Sequence, residues 1–313
     1  MTNKPDLIFM GTPDFAVPSL KAIFENGYSV SMVVTQPDRP KGRGRKIVPP
    51  PVKMAALSFG YDVIQPVSIK SKDFFNTVAR LKPDIIIVVA YGHILPKDIL
   101  AIPETGVVNL HASLLPKYRG AAPIQWAIIN GEKETGVTTM LMDEGMDTGN
   151  ILLSAKEKIT KVDTAATMHD RLSVLGADLL IKTLKGFENK DIVPVAQDNS
   201  NATYAPLLKK SDGRIIWKKD AEHIASFIRG VTPWPGAFTF LHNKRIKIYS
   251  ALPLLTDVSE TPGTVIKGFP DELRIATGKG ALSIIEIQGA SGKRLLIKDF
   301  LMGNQIPPGT FLN

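Results

Sequence analysis

The central apolar stretch of the chain reads Asp84-Ile85-Ile86-Ile87-Val88-Val89-Ala90. An uninterrupted run of Ile and Val is typical of a parallel strand that is covered on both faces of its sheet. Strand patterns and helical patterns alternate on both sides of this run, which predicts βαβ units. We therefore expect an α/β fold with a doubly wound, mostly parallel sheet.

Working outward, the pattern predicts further elements at positions bounded by Gly, Pro and Asn. The predicted strands before residue 190 cover 7–11, 29–36, 61–65, 106–111, 135–142 and 151–159, and the predicted helices cover 14–26, 71–81, 123–130 and 164–186. After a polar stretch come a helix at 221–229 and short strands at 238–241, 245–251, 264–267, 273–277 and 282–287. Several short strands in succession indicate a small β-barrel. We expect a first domain at 1–189, a linker at 190–208 and a second domain at 209–313.

The composition of the 313 residues is that of a globular protein, with 44% hydrophobic and 22% charged residues. The absence of cysteine excludes disulfides, thiol nucleophiles, iron–sulfur clusters and cysteine-ligated zinc. No apolar run is long enough to span a bilayer, and the N-terminus lacks a signal-peptide pattern. We expect a cytoplasmic monomer that makes no contact with membranes.

The net charge of +8 is concentrated towards the C-terminus. Residues 209–313 hold 15 Lys and Arg against 9 Asp and Glu, whereas residues 1–208 hold 23 against 21. A basic domain beside a nearly neutral one suits a polyanionic partner such as nucleic acid, although basic surfaces often serve solubility alone.

Polar residues follow the predicted strand 106–111 in a pattern that suits catalysis. Asn109 and His111 are two residues apart, so their side chains leave the same face of a strand. A carboxamide and an imidazole can together stabilise an oxygen that becomes negative, and Asp147 could hold the imidazole charged or accept a proton. The alternative is that these residues are helix caps and turn formers.

A second candidate site is the basic loop Asp38-Arg39-Pro40-Lys41-Gly42-Arg43-Gly44-Arg45-Lys46. It carries five basic residues from Arg39 to Lys46 and follows a predicted strand, at the same rim of the sheet as Asn109 and His111. Such a loop suits a phosphate-bearing substrate, and the alternative is a solvated charged loop.

Two other kinds of site are disfavoured. The first turn reads G-T-P-D-F-A rather than G-x-G-x-x-G, and its proline replaces a backbone donor that a pyrophosphate needs, so we expect no dinucleotide cofactor. No grouping of His, Asp and Glu has the spacing of metal ligands, so we expect no metal.

The letters around the catalytic candidates are N-x-H-x-S-L-L-P, then R-G-A-A-P, then M-D-x-G-x-D-T-G. This series resembles the formyltransferases that use 10-formyltetrahydrofolate, and F-M-G-T-P-D-F-A, V-V-A-Y-G-H-I-L-P and T-Y-A-P extend the resemblance along the chain. The resemblance implies a formyltransferase-type, Rossmann-like domain followed by an OB-like barrel. It also implies that Asn109, His111 and Asp147 are catalytic.

The resemblance further implies a folate site and an RNA site. It assigns the binding of the folate co-substrate to two segments, Ser113, Leu114, Leu115 and Pro116 in one and Val89, Tyr91, Gly92 and Leu95 in the other. The stretch T-Q-P-D-R-P-x-G-R-G resembles the loop with which methionyl-tRNA formyltransferases engage the acceptor stem, which assigns Arg43, with Arg39 and Arg45, to tRNA. Leu207 stands where many relatives carry a lysine, and Lys209 and Lys210 are candidates to replace it.

The expected function is formyl transfer from 10-formyltetrahydrofolate to the α-amino group of methionyl-initiator tRNA. The first alternative is formyl transfer to an amino sugar nucleotide, since such enzymes share the N-x-H-x-S-L-L-P core. The second alternative is a folate- or RNA-binding module without catalysis.

Overall fold

The computed structural model describes residues 4–41, 44, 46–290 and 292–313. Within them the chain forms two compact units. The first unit takes Met1–Pro123, Thr135–Lys158 and His169–Ala205, and the second takes Ile124–Glu134, Ile159–Met168 and Pro206–Asn313. The polar segment after residue 190 is therefore part of the first unit as far as Ala205.

The first unit is built on a seven-stranded sheet. The strands up to residue 158 are β1 Asp6–Gly11, β2 Ser29–Val34, β3 Arg39–Lys41, β4 Lys46–Val48, β5 Val63–Ile64, β6 Ile85–Val89, β7 Gly106–His111, β8 Glu134–Leu141 and β9 Ile151–Lys158. The sheet has the order β5-β2-β1-β6-β7-β8-β9, and β3 and β4 form a separate hairpin. The pairs from β5 to β7 are parallel, and β7 pairs with β8 in the antiparallel direction.

The strand order reverses between β1 and β6, which creates a crevice at the carboxyl ends of these strands. β6 is buried along its whole length, as its Ile and Val content predicts. Ile8, Ile86 and Val107 from neighbouring strands share one core cluster with Phe74 and Val78 of a covering helix.

Several helices up to residue 189 begin at residues whose chemistry explains the boundary. The helices in this part of the chain are α1 Val17–Glu25, α2 Pro51–Ser58, α3 Lys72–Leu81, α4 Lys97–Leu100, α5 Pro123–Ile129, which belongs to the second unit from Ile124 onward, and α6 Ala165–Asn189, with a 3-10 turn at Asp14–Ala16. Ser71 caps α3 by accepting a hydrogen bond from the Phe74 amide at 3.2 Å. Proline occupies the first turn of α1 and of α2, where its missing N–H costs nothing.

The second unit contains a six-stranded antiparallel sheet. Its elements are α7 Ala221–Gly230, β10 Ala237–Leu241, β11 Lys244–Leu254, β12 Val265–Ile266, β13 Leu273–Ala276, β14 Ala281–Gln288, β15 Arg294–Leu296 and α8 Ile297–Met302, with 3-10 turns at Asn199–Asn201 in the first unit and at Lys210–Gly213. The strand path is β10-β11-β14-β13-β12, and β15 pairs with β14. His242 and Asn243 connect β10 to β11 with positive φ angles of 47° and 62°, as a two-residue hairpin turn requires.

The C-terminal residues close this sheet into a barrel. On one side, the Phe240 amide donates to the carbonyl of Asn313 at 2.9 Å, and the Asn313 amide returns a bond at 3.1 Å. On the other side, Leu312 donates to the Gly263 carbonyl at 2.9 Å, and Val265 donates to Thr310 at 2.8 Å. Leu312 is completely buried, so the tail covers both edges of the strand path.

The predicted fold class is confirmed: a mostly parallel α/β sheet is followed by a small antiparallel barrel. The sequence patterns missed the β3–β4 hairpin, β15, α2, α4 and α8, and they made β5 longer than its two residues. The pattern in the hairpin is dominated by charge and glycine, which hides the pairing of such short strands.

Candidate active site

Strand β7 carries Asn109 and His111 to the carboxyl end of the sheet. Its central position between β6 and β8 places Val88 and Met140 opposite Asn109. Leu110 points to the other face, where a methyl group of its side chain lies 2.7 Å from the Cβ position of Gly176 in α6. Asn109 and His111 therefore share the face that α6 does not cover.

The imidazole of His111 is held from both ring nitrogens. Its Nε2 lies 3.0 Å from the carbonyl oxygen of Tyr118, which can only accept, so this nitrogen carries a proton. Its Nδ1 lies 3.6 Å from Oδ2 of Asp147, close enough for an ion pair and too far for a hydrogen bond. The side chains of His111 and Asp147 are 7% and 17% exposed, so the pair is desolvated but still open to solvent.

Asp147 reaches His111 from a loop with an unusual backbone. Its φ is +53°, a left-handed value that costs a non-glycine residue about 1 kcal/mol or more. The Gly120 amide donates to its Oδ2 at 2.8 Å. The residue at the end of the loop, Gly149, must be glycine, because a Cβ there would lie 1.7 Å from the Leu141 carbonyl oxygen. The M-D-E-G-M-D-T-G pattern thus contains residues that the geometry of one tight loop requires.

Asn109 is half-buried, and its side chain makes no hydrogen bond with any residue that the structure describes. A carboxamide in this position keeps its N–H groups for a bound molecule. The structure therefore brings together the three residues that the sequence selected as catalytic, with one free donor, one oriented imidazole and one carboxylate.

The first segment assigned to folate follows directly after β7. The hydroxyl of Ser113 donates to the Lys117 carbonyl at 2.6 Å, and the Thr138 hydroxyl donates to the Ser113 carbonyl at 2.7 Å. The peptide bond between Leu115 and Pro116 is cis. Ser113 and Leu115 are buried, so Leu114 and Pro116, which are half-buried, are the side chains of this segment that remain accessible to solvent.

The second segment assigned to folate turns away from β6 into a loop. The side chains of Val89, Tyr91 and Leu95 are buried in the core, and Gly92 is exposed. Burial raises the pKa of the Tyr91 phenol to about 12, so this group stays neutral. The Tyr91 carbonyl accepts a hydrogen bond from Gln36 Nε2 at 2.9 Å, which fixes the loop.

A cavity of about 370 Å³ lies beside this second loop. It is lined by the contiguous residues 66–70 and 92–94, which include Gly92 and the exposed Ile94. Its lining combines apolar residues such as Val67 and Ile94 with polar or charged ones such as Lys70 and His93, which is typical of a small-molecule site.

The basic loop lies on the β3–β4 hairpin, where Arg39 pairs with Val48 and is exposed. Arg43 and Arg45 lie outside the described residues. A polar cluster follows β2 directly before the hairpin, and in it Lys53 Nζ contacts both carboxylate oxygens of Asp38 at 2.9 Å and Gln65 Oε1 at 2.7 Å. Hydrogen bonds from Gln65 and Lys53 lower the pKa of Asp38.

Lys209 and Lys210 lie at the start of a 3-10 turn in the second unit. Both lysines are exposed, and Leu207 is 67% exposed. The Lys209 amide donates to Oδ2 of Asp212 at 2.7 Å, which fixes the backbone at the start of the turn.

Sequence reasoning gave no role to two residues that the structure connects with the site. Arg119 is 2% exposed and bonds the side chain of Gln197, which in turn donates to the backbone of the Asp147 loop. Arg119 belongs to the R-G-A-A-P motif, and this motif was the feature of the sequence that could have indicated a role for it. Gln197 lies in the polar segment that the sequence predicted as a linker.

Within the described residues, no three His, Asp or Glu side chains are grouped as metal ligands would be. Among the helices of the same residues, none combines the length and apolar character that crossing a membrane requires.

Comparison with known protein families gives two consecutive matches. Residues 6–184 match the family described as formyl transferase, and residues 207–305 match the formyl transferase C-terminal domain. The chain is 51% identical to methionyl-tRNA formyltransferase of Caldanaerobacter subterraneus subsp. tengcongensis, with 98% of this chain and 99% of that protein covered. It is 50% identical to methionyl-tRNA formyltransferase of Pelotomaculum thermopropionicum, with 98% of each protein covered.

Solved structures show the same fold at lower identity. An N-formyltransferase from Helicobacter canadensis, crystallised with folinic acid and dTDP-3-aminofucose, superposes with a TM-score of 0.70 at 22% identity, covering 92% of this chain and 99% of that one. HypX from Aquifex aeolicus with tetrahydrofolic acid gives a TM-score of 0.61 at 18% identity, covering 98% of this chain. The chain spans 51% of the length of that HypX chain.

Proposed function

The chain belongs to the methionyl-tRNA formyltransferases of the formyl transferase family, and on this premise we propose that it formylates methionyl-initiator tRNA with 10-formyltetrahydrofolate as donor. The observation that carries the chemistry is the convergence of Asn109, His111 and Asp147 at the end of β7, with Asp147 Oδ2 3.6 Å from His111 Nδ1. The product is N-formylmethionyl-tRNA for the initiation of translation.

The reaction needs a nucleophile, an oxyanion site and a proton acceptor. The α-amino group of methionine attacks the formyl carbon, which forms the new C–N bond and places negative charge on the formyl oxygen. The Asn109 carboxamide donates to that oxygen. Because the Nε2 proton of His111 is committed to Tyr118, Nδ1 is the ring nitrogen that faces the reacting atoms and Asp147.

Asp147 completes the proton balance. It accepts the proton that the attacking amine loses, directly or through water, and it stabilises the imidazolium form of His111 in the transition state. The bond between the formyl carbon and N10 then breaks, and the proton that Asp147 took from the amine passes to N10 of the leaving tetrahydrofolate, directly or through water. The mechanism needs no covalent intermediate with the protein.

We assign the transfer chemistry to residues 1–189, with support from the segment 190–208 that follows them, and RNA binding to 209–313. The proposed folate contacts are the backbone of 89–95 and of 113–116, with Leu114 and Pro116 against the heterocycle. The proposed tRNA contacts are Arg39, Arg43 and Arg45 on the hairpin, with Lys209 and Lys210. We further propose that the protein acts as a monomer in the cytoplasm, where charged initiator tRNA is used.

The decisive experiment compares acceptors. The purified protein is given 10-formyltetrahydrofolate with charged initiator tRNA, with uncharged tRNA, or with a dTDP- or UDP-linked amino sugar, and formylated product is measured. We expect product with the charged tRNA alone. Formylation of the sugar nucleotide in preference to the charged tRNA would support the alternative acceptor, and binding without any product would support a non-catalytic module.

A further inference from the structure

The buried guanidinium of Arg119 has no catalytic assignment, and its contacts lead directly to the Asp147 loop. Its Nε and Nη2 donate to Oε1 of Gln197 at 3.2 and 2.7 Å, and Nη2 also donates to Asn199 Oδ1 at 2.8 Å. Burying a charged group is costly unless its hydrogen bonds are made, so this arrangement needs a reason beyond packing.

Gln197 transmits the contact to the catalytic loop. Its Nε2 donates to the carbonyl oxygens of Asp147 and Gly149 at 2.8 and 2.7 Å. One of these carbonyls belongs to Asp147, whose φ is +53°, and the other lies two residues later, at the end of the loop. A single amide group thus connects Arg119 with the backbone of Asp147 and with the C-terminal end of its loop.

The orientation of the Gln197 amide is fixed by charge. Because Arg119 can only donate, the amide oxygen must face it, and the amide nitrogen must then face the two carbonyls. The guanidinium also polarises the amide, which strengthens the two bonds that Nε2 donates. This explains why an arginine bonded to carboxamide oxygens is useful at this point.

The backbone around Arg119 supports the other contacts of the catalytic pair. The Arg119 amide donates to the Thr203 carbonyl at 2.9 Å, and its own carbonyl accepts from Ala205 at 2.7 Å. The residue before it, Tyr118, supplies the carbonyl that holds His111, and the residue after it, Gly120, supplies the amide that holds Asp147. The same short segment therefore contacts both catalytic side chains.

We propose that Arg119 and Gln197 are positioning residues for the formyl transfer, which act by fixing the Asp147 loop against His111. This proposal rests on the proposed function, because it assumes that Asp147 works in the transfer. Arg119 acts through Gln197, and neither side chain needs to touch a substrate.

The test is Gln197→Glu, which keeps the size and an oxygen for Arg119 but replaces the donor to both carbonyls with an acceptor. We expect kcat to fall about 10- to 100-fold, as for an angstrom-scale misplacement of a catalytic group. The KM values for 10-formyltetrahydrofolate and for charged tRNA should stay within about threefold of the wild-type values, because the substrate contacts are unchanged. The midpoint of thermal unfolding is measured in parallel.

Asn201→Ala is the matched control, since the Asn201 amide lies in the same segment but donates to Asp198 and does not contact the Asp147 loop. It should leave kcat unchanged. Arg119→Lys is the second variant, because lysine keeps the charge and can reach one acceptor but cannot bridge Gln197 and Asn199. It should lower kcat with the same small effect on KM. If Gln197→Glu does not fold, the kcat of Arg119→Lys tests the positioning role in its place.

Two outcomes overturn the proposal. One is a folded Gln197→Glu variant whose kcat is within twofold of the wild-type value. The other is a loss of kcat in Asn201→Ala as large as that in Gln197→Glu, which would mean that any damage to this segment has the same effect. Asp147→Asn is assayed beside them. If Asp147→Asn also retains activity, the proposed mechanism itself fails. If Asp147→Asn loses activity while Gln197→Glu keeps full activity, only the positioning role is rejected.

Discussion

At residue 109 the strand presents a carboxamide whose donors are not used by the described part of the chain, beside an imidazole that is held on both sides. The difference between the two side chains affects the free energy of binding an oxyanion. Asn109 can bind an oxygen without breaking an existing hydrogen bond, and His111 does not have to reorganise. Preorganised donors of this kind stabilise developing charge far better than donors in water.

Asn109→Ala should therefore lower kcat by ~10²–10³, the usual result of removing one oxyanion donor. The dissociation constant for charged tRNA, measured by filter binding, should stay within about threefold, because the missing group faces the formyl oxygen. A near-normal kcat in this variant would contradict the assignment of Asn109. A parallel loss of tRNA binding would indicate that the side chain supports the acceptor site instead.

The sequence selected Asn109 and His111 because their chemistry and their spacing on a strand are local properties, and it selected Asp147 through the motif that resembles the formyltransferases. It could not predict the support from Gln197, since 50 residues separate it from Asp147 and only the folded chain brings the two together. It also could not show that Val89, Tyr91 and Leu95 are buried, because apolar residues in a loop look the same whether they face a ligand or the core.

At the scale of elements, the β3–β4 hairpin begins directly after a polar cluster. Asp38 is the residue before β3, and its carboxylate contacts Lys53 of α2 and Gln65 after β5. The cluster thus connects the start of the basic loop to two further elements of the first unit. We expect that it fixes the start of β3, where the proposed tRNA contact Arg39 lies.

Asp38→Asn should separate positioning from charge. Removing an acid from a basic loop strengthens RNA binding if charge alone matters, whereas loss of the contact with Lys53 weakens it if the cluster orients the loop. We expect the KM for charged tRNA to rise several-fold, with the KM for 10-formyltetrahydrofolate unchanged. The measurement is steady-state kinetics with each substrate varied in turn.

Asp62→Asn is the control, because it removes the same charge at an exposed position outside the cluster. It should lower the KM for tRNA slightly or leave it unchanged. Arg43→Ala provides the reference for a direct contact, with a raised KM for tRNA and normal folate binding. A lower KM in Asp38→Asn would show that the carboxylate only opposes the RNA.

The closure of the barrel is a second property at this scale. The strand patterns predicted most of the antiparallel strands but could not predict that 310–313 pairs with both edges, because an isolated four-residue tail carries no periodic signal. Leu312→Ala should lower the free energy of unfolding by about 2–5 kcal/mol, the usual cost of truncating a buried leucine. Urea unfolding followed by tryptophan fluorescence measures it, since Trp217 bonds Thr239 in β10.

Phe311→Ala is the matched control for this closure. Phe311 is 53% exposed and belongs to the same tail, so its truncation should cost less than half as much. Equal losses in the two variants would show that the tail responds to any truncation and that burial of Leu312 is not its anchor.

For the whole molecule, charge and chemistry are separated along the chain. The proposed catalytic residues lie in a part with little net charge, and 209–313 carries a clear excess of Lys and Arg over Asp and Glu. Attraction to a polyanion and the formyl transfer therefore depend on different residues. This separation predicts that salt changes one kinetic constant and leaves another almost unchanged.

Raising the KCl concentration should lower kcat/KM for charged tRNA steeply, because each phosphate contact releases counterions and adds about 0.7–0.9 to the slope of log affinity against log salt. The kcat at saturating tRNA should change little, since the reacting groups are a desolvated cluster in which screening is weak.

Lys209→Gln and Lys210→Gln should each reduce the slope of log kcat/KM against log salt by about one if the lysine contacts a phosphate. Lys185→Gln, on an exposed position of α6, should not change it. Equal slopes in the wild type and in both 209 and 210 variants would remove these lysines from the RNA interface, while a steep salt dependence of kcat itself would mean that charge acts on the chemical step.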